Sequence, residues 1–226
     1  MKIALINGSP KVKDSASKTL LEELHAHLSP KAECIELEFH TATFSPNEQT
    51  PLLQADAWIF AFPLYVDGIP AHLLSCLVGL EQFLATKGKQ NTIGNDQNVT
   101  KSGQNTIRVY GIANCGFYEG IQAEYALEIL QNWSRRAGLT WGGGIGVGGG
   151  GGLSQMPKTA GHGPWAPIIR TFTALSETIL QAGTTDNQYI SVAFPRFLYK
   201  IAAQSGWRQS IRRNGGKARD LGNKPK

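Results

Sequence analysis

Apolar and polar positions along this chain switch repeatedly between two patterns. Ile3 to Ile6 is an unbroken apolar run that ends in Asn7, Gly8, Ser9 and Pro10, which predicts a first buried strand opening into a turn. Leu20, Leu21, Leu24 and Leu28 then recur at helical spacing and predict a helix over 17–28. Ala32 to Leu37 reads as a short second strand. Ala57 to Phe62 is apolar throughout, as expected of a central parallel strand covered on both faces. Pro70 to Leu84 predicts a helix, with Pro70 suited to its first turn. Ile107 to Ala113 reads as a fourth strand and Ile121 to Ala137 as the next helix. Thr140 to Val147 reads as a fifth strand, and Pro164 to Ala182 as a closing helix.

Strands that alternate with helices predict a parallel sheet covered by helices on both faces. Five strands fit the doubly wound order 2-1-3-4-5, in which ligands bind beyond the carboxyl ends of the strands beside the switch point. Two segments fall outside that alternation. Gly142 to Gly152 holds nine glycines in eleven residues and reads as a tightly packed strand followed by a flexible loop. Lys87 to Asn105 is polar, rich in Asn and Gln, and long for a connection, which fits disorder, a small surface hairpin or a lid.

Composition adds limits. With 226 residues, 41% apolar and 17% charged, the chain has the material for one domain with a sizeable core and room for an extension. The longest apolar run, Trp58 to Val66, is too short and too interrupted by proline to span a bilayer. No secretory signal pattern is expected at the start. Cys34, Cys76 and Cys115 are odd in number and widely spaced, which draws neither a disulfide framework nor a metal site, so a reducing, cytoplasmic location is expected. The net charge of +5 is unevenly placed. Residues 196–226 carry nine Lys/Arg and one Asp, whereas the first 195 residues hold 13 basic and 16 acidic side chains. The core is therefore mildly acidic and the tail strongly basic.

Three loops come after strands one, three and four, and their chemistry is complementary. The loop Ser9 to Thr19 offers Ser9, Ser15, Ser17 and Thr19 as hydroxyl donors and Lys11 and Lys18 as charges, at a place where backbone N–H groups and a helix N-terminus point outward. It lacks both the dinucleotide glycine fingerprint and the Gly-Lys-Ser/Thr of a nucleotide P-loop, so a monophosphate is the expected anion. The loops Pro63 to Pro70 and Asn114 to Gly120 each join an aromatic residue (Tyr65; Phe117 or Tyr118) to glycines that permit close backbone approach. A flat heteroaromatic ring suits such a place.

Together these loops resemble the flavodoxin-like NAD(P)H-dependent FMN reductase and quinone oxidoreductase family. The resemblance rests on Ile6-Asn-Gly-Ser-Pro-Lys11, on Ser15-x-Ser17 before a leucine-rich helix, on Phe62-Pro-Leu-Tyr65 with Gly68-Ile-Pro70, and on Asn114-Cys-Gly-Phe-Tyr-Glu119. It covers residues 1–183 and implies a flavodoxin-like three-layer α/β sandwich, with 184–226 as a C-terminal extension. It further implies bound FMN and NAD(P)H as hydride donor. Ser9, Lys11, Ser15, Ala16, Ser17 and Lys18 would hold the phosphate. Pro63, Leu64, Tyr65 and Val66 would line one side of the ring. Asn114, Cys115, Gly116 and Phe117 would line the other, with their backbone N–H groups facing the pyrimidine, and Glu119 would stand at the rim. A small-molecule acceptor (a quinone, a free flavin, a nitro- or azo-aromatic) and a homodimer are implied as well.

Each residue has a plainer reading beside this one. Ser15 or Ser17 is also a good helix N-cap. Cys115 is more simply a small residue whose backbone matters than a redox thiol, and Glu119 is favourable at a helix start for dipole reasons alone. Tyr65 and Glu119 are the side chains with possible catalytic use, none being required, because such a cofactor carries the hard chemistry. His25 and His27 read as surface residues, and no histidine shows metal-ligand spacing. A flavodoxin-type electron carrier and a non-catalytic binding module are the alternatives. In the tail, Phe197, Leu198, Ile201, Ala202 and Ile211 recur at roughly helical spacing beside Arg196, Lys200, Arg208, Arg212 and Arg213. This predicts a basic amphipathic helix, either packed on protein or in peripheral contact with a membrane, and no nucleic-acid partner.

Overall fold

The structure, a computed structural model, describes residues 1–43, 46–93, 107–156, 158–159 and 162–219. Its contacts divide the chain into two compact units, Met1–Val192 and Ala193–Lys226. The first unit holds a six-stranded sheet of β1 (Lys2–Asn7), β2 (Glu33–Glu38), β3 (Ala57–Pro63), β4 (Arg108–Asn114), β5 (Thr140–Gly148) and β6 (Gln188–Ser191). Every pairing is parallel and the order is β2-β1-β3-β4-β5-β6. The expected doubly wound order is present, with one strand more than predicted. The extra edge strand is four residues of Gln-Tyr-Ile-Ser, too short and too mixed in polarity to show a period, and it comes from the stretch read as extension.

Helices α1 (Ala16–Leu28), α2 (Pro46–Gln54), α3 (Ala71–Ile93), α4 (Glu124–Arg136) and α5 (Ala166–Leu180) complete this unit. Strand residues alternate between the two faces of the sheet. Ala4 and Ile6, with Trp58, Phe60 and Phe62, join one buried cluster with Leu73, Leu77 and Leu80 of α3 and Leu127, Leu130 and Trp133 of α4. The Trp133 indole N–H donates to the Leu77 carbonyl at 2.8 Å, which fixes α4 against α3. On α1 the leucines at 20, 21, 24 and 28 are all buried, as their spacing predicts, and α1 packs against α5. Helix α2 escapes the sequence pattern because it is short, polar and carries Pro51; its Leu52 carbonyl accepts the Trp58 indole N–H at 2.9 Å. Helix α3 continues through residue 93, so part of the polar connection read at 87–105 is helical, and its remainder lies outside the described residues.

The glycine run has a packing explanation. Gly143, at φ +128°, comes just after a register shift between Val109 and Tyr110 in the pairing of β4 with β5. A Cβ at Gly148 would collide with the Tyr118 carbonyl, so the bare backbone of β5 lets the loop after β4 lie directly on it. Beyond β5 the chain turns through a left-handed Gly149 into a 3₁₀ turn, Gly150–Gln155, where the sequence suggested a flexible loop. The second unit holds α6 (Arg196–Arg213), close to the predicted span but not amphipathic: apolar and basic side chains are intermixed around its circumference.

The buried Tyr110 hydroxyl donates to the Gly183 carbonyl at 2.7 Å, and burial pushes its pKa up to about 12. A tyrosine that ionises near 10 when unfolded and near 12 when folded contributes stability that is complete below pH 10 and lost as pH rises toward 12. Denaturant titrations of the Y110F variant should show a loss of about 1 kcal/mol at pH 8. They should also show a flatter decline above pH 10 than the parent.

Candidate functional site

The carboxyl ends of β1, β3 and β4 are tied together by one side chain. Asn114 is buried at the end of β4, and its amide Nδ2 donates to Ser17 Oγ in the first turn of α1 at 2.8 Å and to the Phe62 carbonyl of β3 at 3.0 Å. The Asn114 carbonyl in turn accepts from the Leu64 N–H at 2.7 Å. The three loops singled out in the sequence therefore meet at their bases.

In the first loop, Ser9, Ser15 and Ser17 are buried. Ser9 Oγ accepts from the Lys11 N–H at 3.2 Å, and Ser15 Oγ caps α1 by accepting from the Lys18 N–H at 3.1 Å. Ser17 Oγ accepts from Asn114. Each hydroxyl thus serves as an acceptor, and among the described residues none donates its own proton. Buried polar groups with an unused donor call for an acceptor. An anion with several oxygens, placed at the N-terminus of α1, has the right chemistry.

The lysines take different places. Lys11 is exposed. Lys18 Nζ lies 3.2 Å from Glu38 Oε1 at the end of β2, and that carboxylate raises the Lys18 pKa above its usual value. Glu38 also accepts from Asn7 Nδ2 at 2.6 Å and lies 3.1 Å from His40 Nε2. His40 Nδ1–H donates to the Ser9 carbonyl at 2.7 Å, and Asn7 Oδ1 accepts from the Ser9 N–H at 3.1 Å. Asn7, Glu38 and His40 are absent from the sequence reading of the site. Their signal was faint: each is a polar residue at or just past the end of a strand, where ligand-facing groups gather.

The second loop is a two-residue hairpin. Tyr65 and Gly68 exchange backbone hydrogen bonds of 3.1 and 3.0 Å, and Val66 and Asp67 between them have φ of +47° and +60°. Such a turn favours Asn-Gly, and a β-branched valine there is strained. Val66 is fully exposed, and Tyr65 is about half exposed. In the third loop Cys115 is buried and its amide donates to the Val147 carbonyl at 3.0 Å. That amide is therefore closed to a ligand, a departure from the expected row of free N–H groups. Phe117 is exposed, and its backbone N–H is directed at the Cys115 sulfur, which it favours in the charged form. Burial pushes the Cys115 thiol up to about 11, and its Sγ sits 3.7 Å from the Phe117 and Glu119 carbonyls, so it is neutral near pH 7 and structural. Ala16 and Pro63 lie half-buried at the loop bases, and Leu64, Tyr118 and Glu119 are half-buried too; Gly116 is exposed.

The two histidines of α1 depart from the surface reading. His25 Nδ1 lies 3.2 Å from Glu36, and His27 Nε2 is a buried tip 3.6 Å from Glu23. Replacing the strained residue, V66N, should raise stability by about 1 kcal/mol in urea unfolding, because asparagine tolerates the left-handed region.

No family model and no curated protein matches the chain. Solved structures do. An apo NADH:FMN oxidoreductase (EMOB) superposes with a TM-score of 0.53 at 14% identity, covering 81% of this chain and 90% of that one. A flavodoxin from Streptococcus pneumonia TIGR4 superposes with a TM-score of 0.51 at 12% identity, covering 80% of this chain and 99% of that one. A flavone reductase gives 0.53 at 10% identity, covering 82% and 66%. Identity this low speaks for the fold alone. Sheet order, crossovers and these superpositions agree that the chain has the flavodoxin-like α/β fold.

Proposed function

We propose that this protein binds FMN at the carboxyl ends of β1, β3 and β4 and acts as an NAD(P)H-dependent flavin oxidoreductase. The observation that carries the reading is the set of three buried serine hydroxyls with undonated protons at the start of α1, in a loop tied through Asn114 to two others that present exposed aromatic rings. The donor set fits a phosphate monoester: neutral hydroxyls and helix-end amides, with Lys11 as the nearby cation and Lys18 held by Glu38. Tyr65 and Val66 would pack against one side of the ring system, and the exposed Phe117 would face the other. Asn114 would hold the loops at a fixed spacing, and Glu119 would stand at the rim. When bound, FMN supplies hydride and electron transfer between the nicotinamide and a second small acceptor such as a quinone, a free flavin or a nitro- or azo-aromatic.

Because the site offers positioning groups and not an acid–base pair, the residues act by binding and orienting. Replacing Ser15 and Ser17 together by alanine should lower FMN affinity about a hundredfold, since each lost hydrogen bond to a charged group is worth roughly 1.5 kcal/mol. Equilibrium binding by flavin fluorescence quenching checks this; unchanged affinity would remove the phosphate from this loop.

An apolar patch supports a homodimer. Leu74 and Val78 of α3 are exposed beside exposed Ile121, Tyr125 and Ile129, on a face where Arg136 pairs with Glu81 at 2.9 Å. Ile129 reaches toward Gly68, so the patch borders the second loop. Size-exclusion chromatography with light scattering should show a dimer for the parent and a monomer for V78D/Y125E.

A further inference from the structure

Helix α6 carries a surface that the flavin site does not use. Its segment from Ala193 to Arg219 contains seven Lys/Arg and no Asp or Glu. Lys200, Arg208 and Arg212 have no acidic partner among the described residues. Phe197, Ile201 and Trp207 are 65, 58 and 57% exposed. At 100° per residue, these six side chains and Ile211 fall within an arc of about 140°. The order around it is Trp207, Lys200, Ile211, Phe197, Arg208, Ile201, Arg212. The opposite side carries the small residues Ala202, Ala203, Ser205, Gly206 and Ser210, together with Leu198, Tyr199 and Arg213.

Large apolar and cationic groups that alternate at one depth restrict the partner. A protein interface that covered Phe197 and Ile201 would also desolvate Arg208 and Arg212, so a protein partner would have to interleave carboxylates with apolar side chains in the same register. A nucleic acid would pair the cations but leave the hydrocarbon of Ile201 and Ile211 without a place to be buried. The boundary region of an anionic bilayer supplies both, because phosphates and carboxylates meet the guanidinium heads as they snorkel while rings and branched chains sink toward the acyl layer. No described helix is long and apolar enough to cross a membrane, so this one would lie in the surface plane along roughly 27 Å.

We propose that α6 docks the protein peripherally on an anionic lipid surface through the face centred on Phe197 and Arg208. This assignment is independent of the flavin. Trp58, Trp133 and Trp165 are buried and Trp141 is half-buried, so Trp207 is the indole placed to report on lipid. The full-length protein is mixed with phosphatidylcholine vesicles that contain or lack phosphatidylserine. The expected result is co-sedimentation with the anionic vesicles only, a blue shift of tryptophan emission that W207F abolishes, and release when salt rises from about 0.1 to 0.5 M. The variant R208Q/R212Q should bind about thirtyfold more weakly. Equal binding to both vesicle types, or none to either, would overturn the proposal. So would binding to heparin or duplex RNA under conditions where vesicles leave the emission unmoved.

Discussion

The bond pair made by Asn114 is the constraint on which the rest of this site depends. A buried amide at the end of β4 reaches the first turn of α1 and the Phe62 carbonyl near the end of β3, thereby fixing three separate loop bases. Two donors in a buried setting must both be satisfied, so the loops cannot drift apart without leaving a polar group orphaned. The doubly wound order places these strands side by side, and the side chain turns that adjacency into a fixed spacing. A second network does the same on the far side of β1. Glu38 gathers Asn7, Lys18 and His40, while His40 and Asn7 hold both backbone polar groups of Ser9. The loop from Ser9 to Thr19 is thus held from β4 on one side and from β2 on the other.

Charge placement results from the same arrangement. A lysine beside a serine-rich strand-to-helix loop invites the reading of a free cation aimed at an anion. Lys18 instead neutralises Glu38 and steadies the start of α1, which leaves hydroxyls and amides as the groups with capacity to donate. Neutral donors of this kind bind an anion by geometry and dipole more than by net charge. The cysteine in the third loop tells a similar story: burial keeps Cys115 protonated, and its contribution is the backbone bond that seats the loop on β5.

Much of the fold was legible because its signals were long and periodic. Apolar strand runs of four residues or more and helices with apolar residues recurring on one face gave the alternation, and the alternation gave the sheet order. What escaped had weak periodicity. Helix α2 carries a proline, β6 has four residues, and the tail helix intermixes charge and hydrocarbon around its circumference, so helical spacing alone does not make it amphipathic. At the site, Ser9, Ser15, Ser17 and Asn114 were readable as loop residues with donors to offer. Their partners Glu38 and His40 were not, because a contact between the ends of β1 and β2 is tertiary and leaves no local pattern. The closed amide of Cys115 was likewise invisible, since it depends on Val147 of a neighbouring strand. The glycines of β5 read as tight packing in sequence, and what they clear space for is the loop that lies on them.

The most direct test of a flavin oxidoreductase is anaerobic mixing of the FMN-loaded protein with NADH and, separately, NADPH, monitored in the visible flavin bands. The predicted result is rapid bleaching by at least one nicotinamide without any added reductase, and return of the colour when a quinone is supplied. Bands that stay unchanged with both nicotinamides, or a purified protein that takes up no FMN, would contradict it.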